Sequence, residues 1–177
     1  MATLFPTLGF AVVLLTVWAA VEDLLFRRIR NVVVLSIFII TLLATGLALG
    51  RGYSLPSLGL GEGGLFALAI LVVGFLFQVK GWVGAGDVKV MTALAFWFGS
   101  HAGTFLIVTS LLGGILVLAL PLLRWLEIRL ALLYEALCRL WRLENMPEPL
   151  CLKKEPAVEG LPYGPAIALG AILVTLL

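Results

Sequence analysis

The run V-V-V-L-S-I-F-I-I-T-L-L-A-T-G-L-A-L, from Val32 to Leu49, contains no charged side chain. A helix needs about 20 mostly apolar residues to cross the ~30 Å hydrocarbon core of a bilayer. This run has that length and composition, so it is predicted to be a membrane-spanning helix. The whole chain has the same character: of 177 residues, 62% are hydrophobic and 12% are charged. A soluble domain of this size cannot bury so much apolar surface.

Other apolar segments flank this run on both sides and favour an all-α integral membrane protein, a bundle of about six transmembrane helices. Six spans leave little chain for anything else, so we predict one membrane domain over residues 1–177. The predicted spans are residues 4–21, 32–49, 63–79, 87–100, 102–123 and 161–177.

The basic residues predict the orientation of these spans. If all six cross and the N-terminus faces outward, eleven of the twelve Lys and Arg residues fall on one side, with Arg51 as the exception. Positive charges concentrate in cytoplasmic loops, so a multi-pass protein of the cytoplasmic membrane is expected. Because these charges flank apolar helices in short loops, nucleic-acid binding is not expected.

Residues 124–144 differ from the spans because polar side chains recur through them at helical spacing. This pattern predicts an amphipathic helix in the cytoplasmic loop before the last span. Such a helix fits two positions, one lying in the membrane interface and one extending the fifth span into the cytoplasm. The polar residues are Arg124, Glu127, Glu135, Arg139 and Arg142.

The chain contains two aspartates, Asp23 and Asp87, and both fall at predicted cytoplasmic ends of spans. Two carboxylates about 3 Å apart can hydrolyse a peptide bond, since one activates a water and its protonated partner polarises the carbonyl. Helix dipoles predict that Asp23, at a helix end, carries the shared proton more often than Asp87, unless Arg27 outweighs the dipole. Each acid also has a structural interpretation: Asp23 can pair with Arg27 one turn later, and Asp87 can cap a helix.

The span that Asp87 opens is short. Residues 87–100 form about 21 Å of helix, less than the ~30 Å hydrocarbon core. If the helix begins below the membrane surface, Asp87 lies at membrane depth, where an acid indicates a functional site. Gly81, Gly84 and Gly86 precede it and permit irregular backbone and the close approach of another chain.

Three motifs together resemble the prepilin peptidases, six-helix aspartyl proteases with a GxGD motif. They are G-A-G-D-V-K at residues 84–89, an aspartate followed several residues later by I-x-N, and P-Y-G-P-A-I-A-L-G at residues 162–170. The resemblance implies that the catalytic residues are Asp23 and Asp87. It implies substrate-binding or supporting roles for Gly84, Gly86, Lys89, Asn31, Pro162, Tyr163, Gly164 and Pro165.

The same resemblance implies a membrane-embedded aspartyl endopeptidase that cuts after a glycine and removes the short basic leader of prepilins or pseudopilins at the cytoplasmic membrane edge. Its partners would be that substrate and the lipid bilayer. The chain starts directly at a span, as in the short, peptidase-only branch of tight-adherence pilus systems, so N-methyltransferase activity is not expected. Ile29-Arg30-Asn31 stands where the family usually has I-P-N, which leaves open how sharply the chain turns there.

Other functions are compatible with parts of the pattern. A small proton-coupled transporter or channel could use Asp23 and Asp87 as proton carriers, although such pathways usually need polar groups throughout the membrane depth. Presenilin-like proteases share GxGD but have a longer, nine-span pattern, and a structural membrane subunit would use both acids as caps or ion pairs. Cys138 and Cys151 lack histidine partners for zinc, so neither a metal nor a cofactor is expected.

Overall fold

The computed structural model describes residues 6–54, 56–140, 147, 149 and 162–176, and within them the chain is almost entirely helical. This confirms the predicted all-α class. The described residues form seven α-helices and two 3-10 turns, at Pro56–Leu58 and Gly99–His101. The helices are α1 (Pro6–Phe26), α2 (Asn31–Gly50), α3 (Leu60–Val79), α4 (Ala85–Phe98), α5 (Ala102–Leu118), α6 (Leu120–Leu140) and α7 (Gly164–Leu176).

By length and composition, four helical stretches in the described ranges can cross a membrane. They are α1, α2, α3 and the run Ala85–Leu118, which comprises α4 and α5; α7 is a shorter apolar helix. Large apolar side chains on their outer surfaces are exposed, among them Val32 and Leu65 at 70% and 69%. Such surfaces suit lipid rather than water, so the chain is a multi-pass membrane protein.

The helices α3 and α4 approach each other closely because glycine removes side chains from their interface. A Cβ atom on Gly74 would lie 2.6 Å from Val88 Cγ1, and one on Gly63 would lie 2.7 Å from the Cα atom of Gly99. Small residues allow this close packing in membranes, where helices gain no hydrophobic driving force from one another. The contact at Val88 fixes the first turn of α4, the turn that contains Asp87.

The main core brings together buried residues of α1, α2, α4, α5 and α7, and the largest of them is Trp97. The last helix, α7, packs against both α1 and α5. Its first residue is Gly164. This packing carries the start of α7, from the P-Y-G-P motif, to the end of α1, where Asp23 lies.

Several helix ends differ from the predicted ones. Helix α1 continues to Phe26, so Asp23 lies inside its last turn. Helix α5 ends at Leu118 and α6 begins at Leu120, earlier than the predicted boundary at 123/124. Pro121 explains why α5 ends and α6 begins before residue 123. Proline lacks the N–H that a continuing helix would need, but it is tolerated in the first turn of a new helix. Residues 4, 5, 141–144, 161 and 177 of the predicted helices lie outside the described residues.

Candidate active site

The Asp23 side chain is buried at the junction of α1 and α7. Its Oδ2 atom accepts a hydrogen bond of 2.9 Å from the backbone N–H of Gly164. That amide belongs to the start of α7, where N–H groups have no partner within the helix and the helix dipole favours negative charge. The helix-dipole prediction of a protonated Asp23 considered only the C-terminal end of α1. The N-terminal end of α7 also faces this carboxylate and favours its ionised form.

Gly164 is the residue that allows this contact. A Cβ atom there would lie 2.9 Å from Asp23 Cβ and 3.0 Å from the Cα atom of Ala20. No larger residue fits without moving α7 away from α1. The flanking Pro162 is fully buried, and Pro165 stands in the first turn of α7, where its missing N–H leaves no helical bond unmade.

Asp87 occupies the third position of α4 rather than its cap. The N-cap residue is Gly84, so the predicted capping role of Asp87 is wrong. The carboxylate leans toward the start of its own helix, since a Cβ atom on Gly84 would lie 2.9 Å from Asp87 Oδ2. The Oδ1 atom is buried and accepts no hydrogen bond from any residue that the structure describes.

The two aspartates lie on different helices, and both side chains are buried. Asp23 and Asp87 are 7% and 8% exposed, and the charge of Asp23 is close enough to act electrostatically on Asp87. Two buried carboxylates that act on each other cannot both ionise without cost. In the ranges that the structure covers, no group of three or more His, Cys, Asp or Glu side chains is arranged to hold a metal.

Lys89 and Asn31 join the starts of α4 and α2 through a hydrogen bond of 3.0 Å from Lys89 Nζ to Asn31 Oδ1. The resemblance implied supporting roles for both residues, but the sequence analysis did not predict that they bind each other. Their positions at the cytoplasmic ends of two predicted spans could have indicated this contact. Beside them lies Gly86, where a Cβ atom would be 3.0 Å from Ile29 Cβ.

An open groove of about 480 Å³ lies between α2, α3 and α4, and the Lys89–Asn31 pair is part of its lining. The lining residues are Asn31, Val32, Val34, Leu35, Phe38, Leu71, Lys89, Thr92 and Ala93.

The turn between α1 and α2 is fixed despite the arginine in the I-x-N motif. Arg30 adopts φ −71° and ψ 136°, within the φ range that proline imposes. Glu22 also contacts this turn: its carboxylate accepts a hydrogen bond of 3.3 Å from the Arg30 backbone N–H and forms an ion pair with the Arg30 guanidinium. Trp18 Nε1 also donates to Glu22, at 2.8 Å.

Arg27 forms an ion pair with Glu127 on α6, with 3.3 Å between Arg27 Nη2 and Glu127 Oε2. The spacing placed Glu127 among the polar residues of the amphipathic segment, and the structure buries it to 8% exposure. The rings of Phe26 and Tyr134 pack edge to face, with 5.6 Å between their centroids. Helix α6 is therefore a separate helix that docks on the end of α1, directly beyond Asp23.

Comparison with known proteins identifies the family. The type IV leader peptidase family matches residues 10–119, which is more than half of the 177 residues. The matched range contains both aspartates and the G-A-G-D-V-K motif, and it ends before P-Y-G-P. Searches of curated proteins and of solved structures give no match. On the family match, the chain belongs to the type IV leader peptidase family.

Proposed function

We propose that this protein is a membrane-embedded aspartyl endopeptidase in which Asp23 and Asp87 form the catalytic pair. Its substrate would be a prepilin or pseudopilin, cut after a glycine between a short basic leader and an apolar helix. Membership of the leader peptidase family supports a peptidase of this general kind. The aspartate chemistry is supported by the burial of both acids at helix ends and by their electrostatic proximity.

One observation carries the proposal. Asp87 Oδ1 is buried without a hydrogen-bond donor among the described residues, whereas Asp23 Oδ2 has the Gly164 amide. An unsatisfied buried polar atom costs about 1–3 kcal/mol, so its presence needs an explanation, and a catalytic role is one. A proton or a water molecule shared with Asp23 would satisfy this oxygen.

The hydrogen bonds suggest how the two roles are divided. An N–H donor favours the ionised form of the carboxylate that it binds, so we assign the general base to Asp23 and the shared proton to Asp87. Asp23 then takes a proton from water as the water oxygen attacks the scissile carbonyl carbon. Protonated Asp87 donates to the carbonyl oxygen, which stabilises the developing charge.

The tetrahedral intermediate collapses when Asp23 gives its proton to the leaving nitrogen, Asp87 takes a proton back from a hydroxyl of the intermediate, and the C–N bond breaks. The products are a leader with a new carboxylate and an apolar segment with a new amino group. Atoms and charges balance without a metal or a cofactor.

The cytoplasmic side of the membrane is the proposed location of the pair. The loop after α1 contributes Arg27, Arg28 and Arg30, and the turn before α4 contributes Lys80. These basic residues favour a cytoplasmic position, and a substrate whose leader stays in the cytoplasm would present its cleavage site at that depth. The proposed orientation therefore has the N-terminus outward and the site at the inner membrane edge.

The test is to change each aspartate to asparagine in separate variants and to follow cleavage of a prepilin in membranes, with mass spectrometry of the product ends. Glu62→Gln is the control, because Glu62 is an exposed acid in the first turn of α3. We expect both aspartate variants to lose cleavage at normal membrane levels while the control cleaves normally. Retained cleavage by either aspartate variant would refute the catalytic pair, and loss of proton flux without any proteolysis would favour a transporter.

A further inference from the structure

Gly113, in the middle of α5, lies against the aromatic ring of Tyr163. A Cβ atom on Gly113 would be 2.4 Å from Tyr163 Cε2 and 2.5 Å from the hydroxyl oxygen. The adjacent Gly114 has no neighbouring atom within 4 Å of its Cβ position. The two glycines are indistinguishable by composition, yet Gly113 alone forms the notch that accepts the tyrosine ring.

The tyrosine is held in this notch by its hydroxyl group, which donates a hydrogen bond of 3.2 Å to the backbone oxygen of Thr109. Thr109 lies one helical turn before Gly113 on the same face of α5. Farther along α7, a Cβ atom on Gly170 would be 2.3 Å from Thr109 Oγ1. Helix α7 is therefore fixed against α5 at two points, Tyr163 and Gly170.

The notch lies close in sequence to the aspartate contact. Tyr163 is followed by Gly164, whose N–H donates to Asp23 Oδ2 at 2.9 Å. The peptide unit that joins Tyr163 to Gly164 is planar and rigid. If the displaced ring shifts the Tyr163 backbone with it, the direction of the Gly164 N–H changes as well.

We infer that Gly113 is a positioning residue of the active site: its notch seats Tyr163, and Tyr163 aims the Gly164 amide at Asp23. The consequence for catalysis rests on the proposed function, whereas the geometric link does not. The three atoms nearest a Cβ on Gly113 all belong to Tyr163, so Gly113 acts through the tyrosine. Its role would be to keep the Gly164 N–H, at the start of α7, within hydrogen-bond distance of Asp23, the proposed general base on α1.

Gly113→Ala tests this inference, with Gly114→Ala as the matched control. We expect kcat for prepilin cleavage to fall by roughly 10- to 100-fold in Gly113→Ala, as for a weakened hydrogen bond to a charged group, with KM little changed. Gly114→Ala should match the wild type in both kcat and KM.

A double-mutant cycle separates positioning from general damage to the fold. In a Tyr163→Ala background, the added Gly113→Ala change should have almost no further effect, since the ring that it displaces is absent. Equal losses in the wild-type and Tyr163→Ala backgrounds would overturn the inference.

A measurement without proteolysis keeps this test distinct from that of the proposed function. The chain has three tyrosines, and Tyr163 alone precedes a glycine, so labelling tyrosine with carbonyl ¹³C and glycine with ¹⁵N gives one HNCO signal, the Gly164 amide. We expect this signal to shift in Gly113→Ala and to stay in place in Gly114→Ala. A shift in a protein that cleaves no prepilin would preserve the geometric link and remove the proposed function. An unshifted Gly164 signal in Gly113→Ala would overturn the link itself.

Discussion

Gly164→Ala is the change that disturbs the proposed base most directly. The added Cβ atom would lie 2.9 Å from Asp23 Cβ and 3.0 Å from both Ala20 Cα and Asp23 Oδ2. Ordinary contacts begin at 3.4 Å, so the start of α7 must move away from α1 by about 0.5 Å. Overpacking of this kind costs about 1–3 kcal/mol of stability.

The effect on activity should exceed the effect on stability. The hydrogen bond from the Gly164 N–H to Asp23 Oδ2 has a nitrogen–oxygen distance of 2.9 Å. An outward shift of about half an ångström lengthens this distance beyond the usual 2.7–3.2 Å range. Misplacement of a catalytic group on the ångström scale can cost about 10²-fold in rate. We therefore expect kcat to fall by about that factor in a protein that still folds, measured as the rate of leader removal in detergent or nanodiscs.

Gly170→Ala separates the two effects. Its Cβ atom would lie 2.3 Å from Thr109 Oγ1, so it also overpacks α7, but against α5 and away from Asp23. We expect it to lower the thermal unfolding temperature with a smaller loss of kcat. Wild-type kcat in Gly164→Ala, or equal losses of kcat in the two variants, would refute the assignment of the Gly164 amide to the active site.

Three other predictions concern the helices around the site. Glu127→Gln should lower the free energy of unfolding by about 1–3 kcal/mol, since it weakens a mostly buried ion pair with Arg27. Its control is Glu135→Gln, which breaks an exposed ion pair with Arg139 and should change the free energy of unfolding by less than about 1 kcal/mol. Equal effects of the two variants in denaturant titrations would contradict the docking of α6. Gly74→Ala should lower the free energy of unfolding by about 1–3 kcal/mol, because its Cβ would lie 2.6 Å from Val88 Cγ1. Adding Val88→Ala should restore most of that stability, and Gly46→Ala, the control, should be neutral. If the Val88 change fails to restore stability, the α3–α4 interface is contradicted. Arg30→Pro should fold and cleave, because Arg30 already has φ −71°, and a misfolded product would show that the Glu22 bonds rather than the backbone angle determine this turn.

The sequence determines the helical class because its long uncharged runs have one stable form in a bilayer, with every backbone group bonded within a helix. It also restricts the candidate acids, since the chain contains only two aspartates, both at ends of apolar runs. Period and composition predicted both features without knowledge of how the helices pack.

Packing decided what the pattern left open. Glu127 belongs to the polar arc of its helix by spacing, but the end of α1 presents Arg27 to it, and the pair is buried. Gly113 and Gly114 are alike in sequence, and only the approach of Tyr163 distinguishes them. Asp87 follows a glycine as an N-cap would, yet the helix begins two residues earlier, at Ala85.

The most direct test of the catalytic pair is the distance between the Asp23 and Asp87 carboxyl groups with an uncleaved prepilin segment bound, determined from an experimental structure. Shared catalysis predicts that the two groups hold one proton or one water between them, at the level of the glycine to be cut. Carboxyl groups separated by more than a single bridging water in that complex would contradict it.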